Sequence, residues 1–134
     1  MVNNTLRIMI IGAHPDDPDW YAGGAVALYT QHGHHVRMVA LTNGDAGHQE
    51  IGGAPLARRR RAEAIAAGER LGAEYLVLDN HDGTLLPTLE GRYQVIRVIR
   101  EFRPDVVMTH RPYDYHPDHR YTGQVVQDAI TQTT

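Results

Sequence analysis

The feature that most restricts this chain is alternation. Four short apolar runs, Leu6–Ile11, Val36–Leu41, Glu74–Asp79 and Asp105–Thr109, read as strands. Between and after them lie segments of helical character, expected over Ala22–His32, Leu56–Leu71, Tyr93–Phe102 and His119–Ile130. The connections are short and no internal repeat is present. A β-α-β-α-β-α-β-α order with continuous rather than alternating apolar strands predicts a mainly parallel sheet covered on both faces, joined by right-handed crossovers. The expected fold is therefore α/β, a Rossmann-like three-layer sandwich formed by a single domain over residues 1–134.

In such a sheet ligands bind beyond the carboxyl ends of the strands, where the strand order reverses. The first strand commonly sits beside that reversal with the fourth as its neighbour, which would bring the loop at 12–18 against the loop at 110–119. The nine histidines of the chain sort accordingly. His14, His48, His81, His110, His116 and His119 follow strand ends, on the expected functional rim. His32, His34 and His35 lie on the opposite rim and read as solvated loop residues.

Composition narrows the chemistry. A net charge of −3 gives no electrostatic reason to expect nucleic acid or an anionic membrane as partner. No stretch reaches the ~18 apolar residues of a membrane span, and the N-terminal run is too short for a signal peptide. Cysteine is absent, so a bound metal must use nitrogen and oxygen ligands, and a cytoplasmic location is expected.

Ala13-His14-Pro15-Asp16-Asp17 ends the first strand and delivers an imidazole and two carboxylates at once. A loop that only had to turn would more cheaply use Gly, Asn or Ser. His14 and Asp17, three apart in a turn stiffened by Pro15, can converge on one point while Asp16 points elsewhere. With His119 from His116-Pro117-Asp118-His119 they make a three-ligand site of the catalytic zinc type. Zn²⁺ held by two neutral imidazoles and one carboxylate keeps positive charge and lowers the pKa of a bound water towards ~7. Asp16 is placed to take that water's proton, His116 to steady an oxyanion or protonate a leaving amine, and Asp118 to orient the His116 ring. Each motif alone has a plainer reading, a capped turn with Asp17 or Asp118 as helix cap. Two of them after neighbouring strands favour the metal.

These residues resemble the zinc-dependent N-deacetylases of the LmbE-like (PIG-L) superfamily, which remove acyl groups from N-acetylglucosamine-type amines. Supporting stretches are Gly23-Gly24, Leu41-Thr42-Asn43-Gly44, Arg60, Glu63 and Leu71-Gly72 of the second helix, and Asp82-Gly83, so the likeness runs from about Arg7 to Gln127. The resemblance implies His14, Asp17 and His119 as zinc ligands (Fe²⁺ accepts the same set), Asp16 as general base, and His116 and Asp118 in catalysis. It further implies Asn43, Arg60 and Asp82 at the substrate, a small-molecule N-acyl amino sugar or glycoconjugate. Two departures stand out: Pro18 follows the double Asp where an acidic residue is common, and family domains run longer. The latter implies a sheet lacking the family's C-terminal portion, with an edge that favours homo-oligomers.

Other features stay open at this level. Gly23-Gly24 fit either close packing on the sheet or approach to a ligand. Trp20 and Tyr21 fit either a sugar-facing wall or the core. Arg58–Arg61 point around most of a helix and read as solvated surface, Arg60 excepted by resemblance. Two competing functions are a catalytically silent metal-binding module and a nucleotide-binding domain. The second is disfavoured because Gly12-Ala13-His14-Pro15 places carboxylates close to where a pyrophosphate needs amides.

Overall fold

The computed structural model describes residues 4–133. Its elements alternate without exception: β1 (Arg7–Gly12), α1 (Asp17–Gln31), β2 (His35–Thr42), α2 (Gly53–Leu71), β3 (Glu74–Asn80), α3 (Leu89–Phe102), β4 (Val106–Thr109) and α4 (Pro117–Ile130). The four strands form one parallel sheet in the order β3-β2-β1-β4. The order reverses at β1, as expected, because the crossover through α3 carries the chain back past β2 and β1. Pairing of Ile11 with Thr109 sets the ends of β1 and β4 side by side, so the two motif-bearing loops leave the sheet as neighbours.

Strand β1 is apolar on both sides because both are covered. Met9 and Ile11 pack with Val39, Leu41 and the inner faces of α3 and α4, Val95, Ile99, Phe102, Val126 and Ala129 among them. Ile8 and Ile10 point the other way, against Val26 of α1 and Met38, and α2 adds Ala64 over Ala40 and Val77. Helix α3 starts at Thr88, whose hydroxyl accepts a hydrogen bond from the Gly91 amide at 3.0 Å. Helix α2 ends on Gly72, left-handed at φ 71°, the conformation that favours glycine at a helix stop.

Two helix starts differ from expectation in ways that matter for the site. Helix α1 begins at Asp17, not Ala22: Pro18 is tolerated in a first turn, where its missing N–H costs nothing, and Asp17 and Asp19 favour that end of the helix dipole. The loop after β1 is therefore only Ala13–Asp16, and Trp20 and Tyr21 are helical and exposed rather than core. Gly23 and Gly24 fall inside the helix, and neither packs on the sheet: a Cβ on Gly23 would only just touch Leu71, and one on Gly24 would touch nothing. Helix α4 begins at Pro117 and is capped by His116, not Asp118, the imidazole Nδ1 accepting the Asp118 amide at 3.1 Å. Among the described residues no helix is long and apolar enough to cross a membrane.

A candidate metal centre

Gly12 decides the position of the first loop. A Cβ there would lie 2.7 Å from the Asp17 Cβ and 2.8 Å from Pro18 Cδ, so glycine lets the first turn of α1 press onto the end of β1. The turn closes with the Asp16 and Asp17 amides donating to the His14 carbonyl. The His14 amide donates to Asp17 Oδ2 at 2.8 Å. Asp17, aspartate of the expected ligand set, is thereby buried with one oxygen facing inward.

Three rings and several carboxylates meet around that oxygen. Asp17 Oδ2 lies 3.0 Å from His14 Nδ1, 3.2 Å from His119 Nε2 and 3.4 Å from His110 Nε2. The outer nitrogens of the two expected ligand rings are both tied to acids. His14 Nε2 is 2.9 Å from Asp118 Oδ2 and 3.1 Å from Asp82 Oδ1, and His119 Nδ1 is 2.9 Å from Asp114 Oδ1. In a neutral ring, a carboxylate on the outer nitrogen holds the proton there and frees the inner nitrogen to bind a cation, the usual support for a metal-binding histidine. His14, Asp17 and His119 converge closely enough to hold one ion, with His14, His116 and Asp118, and His110, Asp114 and His119, as overlapping sets.

The electrostatics follow from the same contacts. Burial would lower the His14 pKa, but hydrogen bonds to Asp17 and Asp82, the Asp17 charge and the Asp118 hydrogen bond outweigh it and push it up to about 10. Burial would raise Asp17, but the His14 ring and the His14 amide, both on Oδ2, hold it well below the ordinary carboxylate range. His119 is lowered, chiefly by burial and with help from His110. Without a cation, the proton on His14 Nδ1 occupies the place beside Asp17 that a cation would take.

The remaining expected residues separate. Asp16 stays exposed at the edge of a cleft of about 430 Å³ lined by His14, Asp17, Asp82, Tyr115, His116 and His119. Its Oδ2 lies 3.1 Å from the Arg60 guanidinium. Arg60 thus reaches the rim as expected, while Arg59 pairs with Glu63 on the outer surface. His116 lines the cleft, and because Nδ1 accepts a backbone N–H its proton sits on Nε2. Asp118 does not orient that ring through its carboxylate. It is fully buried, and its oxygens are taken by His14 and by the Gly83 and Leu85 amides at 2.8 and 3.2 Å. Asp82 joins it on His14 as well as lining the cleft. Asn43 does not line this cleft; its amide donates to Asp79 and accepts the Asp45 backbone N–H.

Two residues absent from the expected set belong to the centre. Asp114 carries His119 and also accepts the His116 amide at 3.0 Å. The His110 ring lies flat on His119, centroids 4.1 Å apart. His110 carried a signal, since it follows β4 on the functional rim. Asp114 carried only its position five residues before His119 in the same loop.

A model of the PIG-L family, GlcNAc-PI de-N-acetylase, matches residues 9–130. The chain belongs to this family. Among PIG-L relatives, diacetylchitobiose deacetylase of Thermococcus kodakarensis is 35% identical over 96% of this chain and 51% of its own length. The 4-oxalmesaconate hydratase of Pseudomonas putida is 31% identical over 90% of this chain and 50% of its own length. The solved N,N'-diacetylchitobiose deacetylase of Pyrococcus horikoshii superposes with a TM-score of 0.88 at 29% identity, covering 96% of this chain and 50% of that one. The chain thus spans about half the length of these two curated relatives.

Proposed function

We propose that this chain carries the metal centre of an N-deacetylase that releases acetate and a free amine from an N-acetylated amino sugar. One observation supports the reading above all: His14 Nδ1 and His119 Nε2 turn inward onto Asp17 Oδ2 while acids hold both outer nitrogens. Two imidazoles and a carboxylate without a thiolate suit Zn²⁺, and Fe²⁺ as well. A divalent cation in this set supplies Lewis acidity and lowers the pKa of water beside it.

The chain's own groups account for the proton traffic of amide hydrolysis. Asp16 stands at the cleft edge with its carboxylate steadied by Arg60, placed to accept the proton of the attacking water as its oxygen bonds to the acyl carbon. The departing nitrogen must gain a proton, and the one Asp16 took from the water is there to be passed on, while His116 Nε2–H keeps its proton and faces the same cleft as a hydrogen-bond donor. The same N–H can steady the oxyanion that develops at the acyl carbon. Asp118 and Asp82 keep the His14 ring in one orientation through both transfers. The products are one carboxylate and one amine for one water consumed.

The likeness to 4-oxalmesaconate hydratase supports a second reading, in which the same centre adds water to an unsaturated acid. Metal content by mass spectrometry, acetate release from N-acetylglucosamine and diacetylchitobiose, and hydration of 4-oxalmesaconate separate the cases. The proposal expects about one zinc per chain, lost in His14→Ala, Asp17→Ala and His119→Ala, and acetate release that Asp16→Asn abolishes without removing metal. Unchanged metal content in the three alanine variants would sink the ligand set. Hydration without acetate release would favour the hydratase, and metal without either reaction a silent module.

A further inference from the structure

His110 belongs to neither sequence motif, yet it touches both halves of the centre. Its ring Nε2 receives the Ala13 backbone N–H at 3.1 Å. Ala13 is the residue between β1 and His14, so this bond fixes the root of the first loop. A backbone amide can only donate, so Nε2 is the bare nitrogen and the His110 proton sits on Nδ1. The same edge of the ring backs Asp17 Oδ2 at 3.4 Å. Its face lies on His119 with an interplanar angle of 8°, and its side chain is about nine-tenths buried.

The backbone of His110 is pinned as well. Helix α4 crosses so closely above it that a Cβ on Gly123 would come within 2.6 Å of the His110 carbonyl oxygen. One residue at the end of β4 is therefore clamped to the β1 loop through its ring nitrogen, to His119 through its ring face, and to α4 through its main chain. His14 and Asp17 come from one side of this clamp, and His119 from the other. Nothing else on β4 bridges the ring of His119 to the amide of Ala13.

We infer that His110 is a positioning residue for the metal centre: it sets the spacing between the His14–Asp17 loop and His119, and so the fit of the cation between them. The inference rests on the metal reading above. It predicts a division of labour within one ring, acceptor for the β1 loop and platform for His119. His110→Phe keeps the platform and removes the acceptor. His110→Gln removes the platform and places an amide oxygen close to where Nε2 was.

The test measures Zn²⁺ affinity by chelator competition and the visible absorption of the Co²⁺-loaded chain, in the unsubstituted protein and both variants. His110→Phe should weaken Zn²⁺ binding about ten-fold or more, the size expected for groups that orient ligands, and change the Co²⁺ bands. His110→Gln should recover part of the affinity. A Phe variant that binds both ions like the unsubstituted chain overturns the inference, as does a Gln variant no better than Phe. Absence of metal binding in the unsubstituted chain would instead remove the metal reading, and this role with it. Should the Phe variant fail to fold, ¹⁵N spectra of the unsubstituted chain still decide: His110 in the Nδ1–H form with a slowly exchanging Ala13 amide is required, and an Nε2–H ring refutes it.

Discussion

Metal binding in this chain should be a proton exchange at one nitrogen. In the metal-free protein His14 is an imidazolium near neutral pH, its pKa pushed up to about 10. One of its protons is shared with Asp17 Oδ2 at 3.0 Å and the other faces Asp118 and Asp82. A cation bonding Asp17 and His14 Nδ1 must expel the first proton and can leave the second. His119 is lowered from its ordinary value, chiefly by burial, which favours its neutral form. Zn²⁺ should therefore release about one proton per site between roughly pH 7 and 9, and its affinity should rise about ten-fold per pH unit across that range. Calorimetric titration in buffers of different ionisation enthalpy reads the proton count directly. A count near zero, or an affinity flat with pH, would refute the claim that the His14 proton stands in the cation's place.

Further outcomes follow from the same contacts. Asp114→Ala leaves His119 Nδ1 without its acceptor and should weaken Zn²⁺ binding about 10- to 100-fold, read by chelator competition, whereas Asp114→Asn should lose less. His14 and Asp17 should each leave a mark on the pH dependence of melting in the metal-free chain. His14, raised in the fold, gives up its contribution as pH climbs from 6.5 through 10, and Asp17, depressed, gives up its own as pH falls below 3.8. Thermal melts across pH check this, and a melting point that rises from pH 6.5 to 9 would contradict it. Gly12→Ala drives a methyl into Asp17 and Pro18 and should cost about 1–3 kcal/mol by denaturant titration. Phe102→Ala removes a fully packed ring capped by the Arg7 and Arg37 guanidiniums at 4.4 and 4.7 Å and should cost about 3–5 kcal/mol.

Much of this architecture was legible because it is carried by local patterns. Continuous apolar strands separated by helices left few topologies, and the loop after β1 announced itself through residues a turn does not need. The helix starts were less legible. Pro15 and Pro18 read as loop, but Pro18 lies in the first helical turn, where a proline is at home, and this moved Trp20 and Tyr21 onto an exposed helix. Asn43, just past the end of β2, was expected at the substrate through the family resemblance alone. Whether a polar residue there faces the cleft or ties down its own loop depends on side-chain direction, which no spacing rule supplies. His110 and Asp114 were hidden for a related reason. They act on His119 across a loop whose path is set by tertiary packing, and only contacts reveal a residue that works through another.

The chain's likeness to both a deacetylase and a hydratase separates what this centre supplies from what sets selectivity. Hydrolysis of an amide and hydration of an unsaturated acid both need a water oxygen delivered to a carbon, a base to take its proton, and a cation to hold developing negative charge. In the reading proposed above, His14, Asp17, His119, Asp16 and Arg60 meet that common need, and the acids behind the rings meet it indirectly. None of them distinguishes a sugar amide from a conjugated acid. That distinction rests on what lines the cleft away from the ion: Ala46, Gly47 and Gly83, which leave room, and Tyr115, which is exposed beside His116 and His119. Exchanging Tyr115 for Ala should therefore alter the relative turnover of different substrates while leaving Zn²⁺ affinity within about two-fold. A parallel loss of metal would place Tyr115 in the centre itself and move the boundary drawn here.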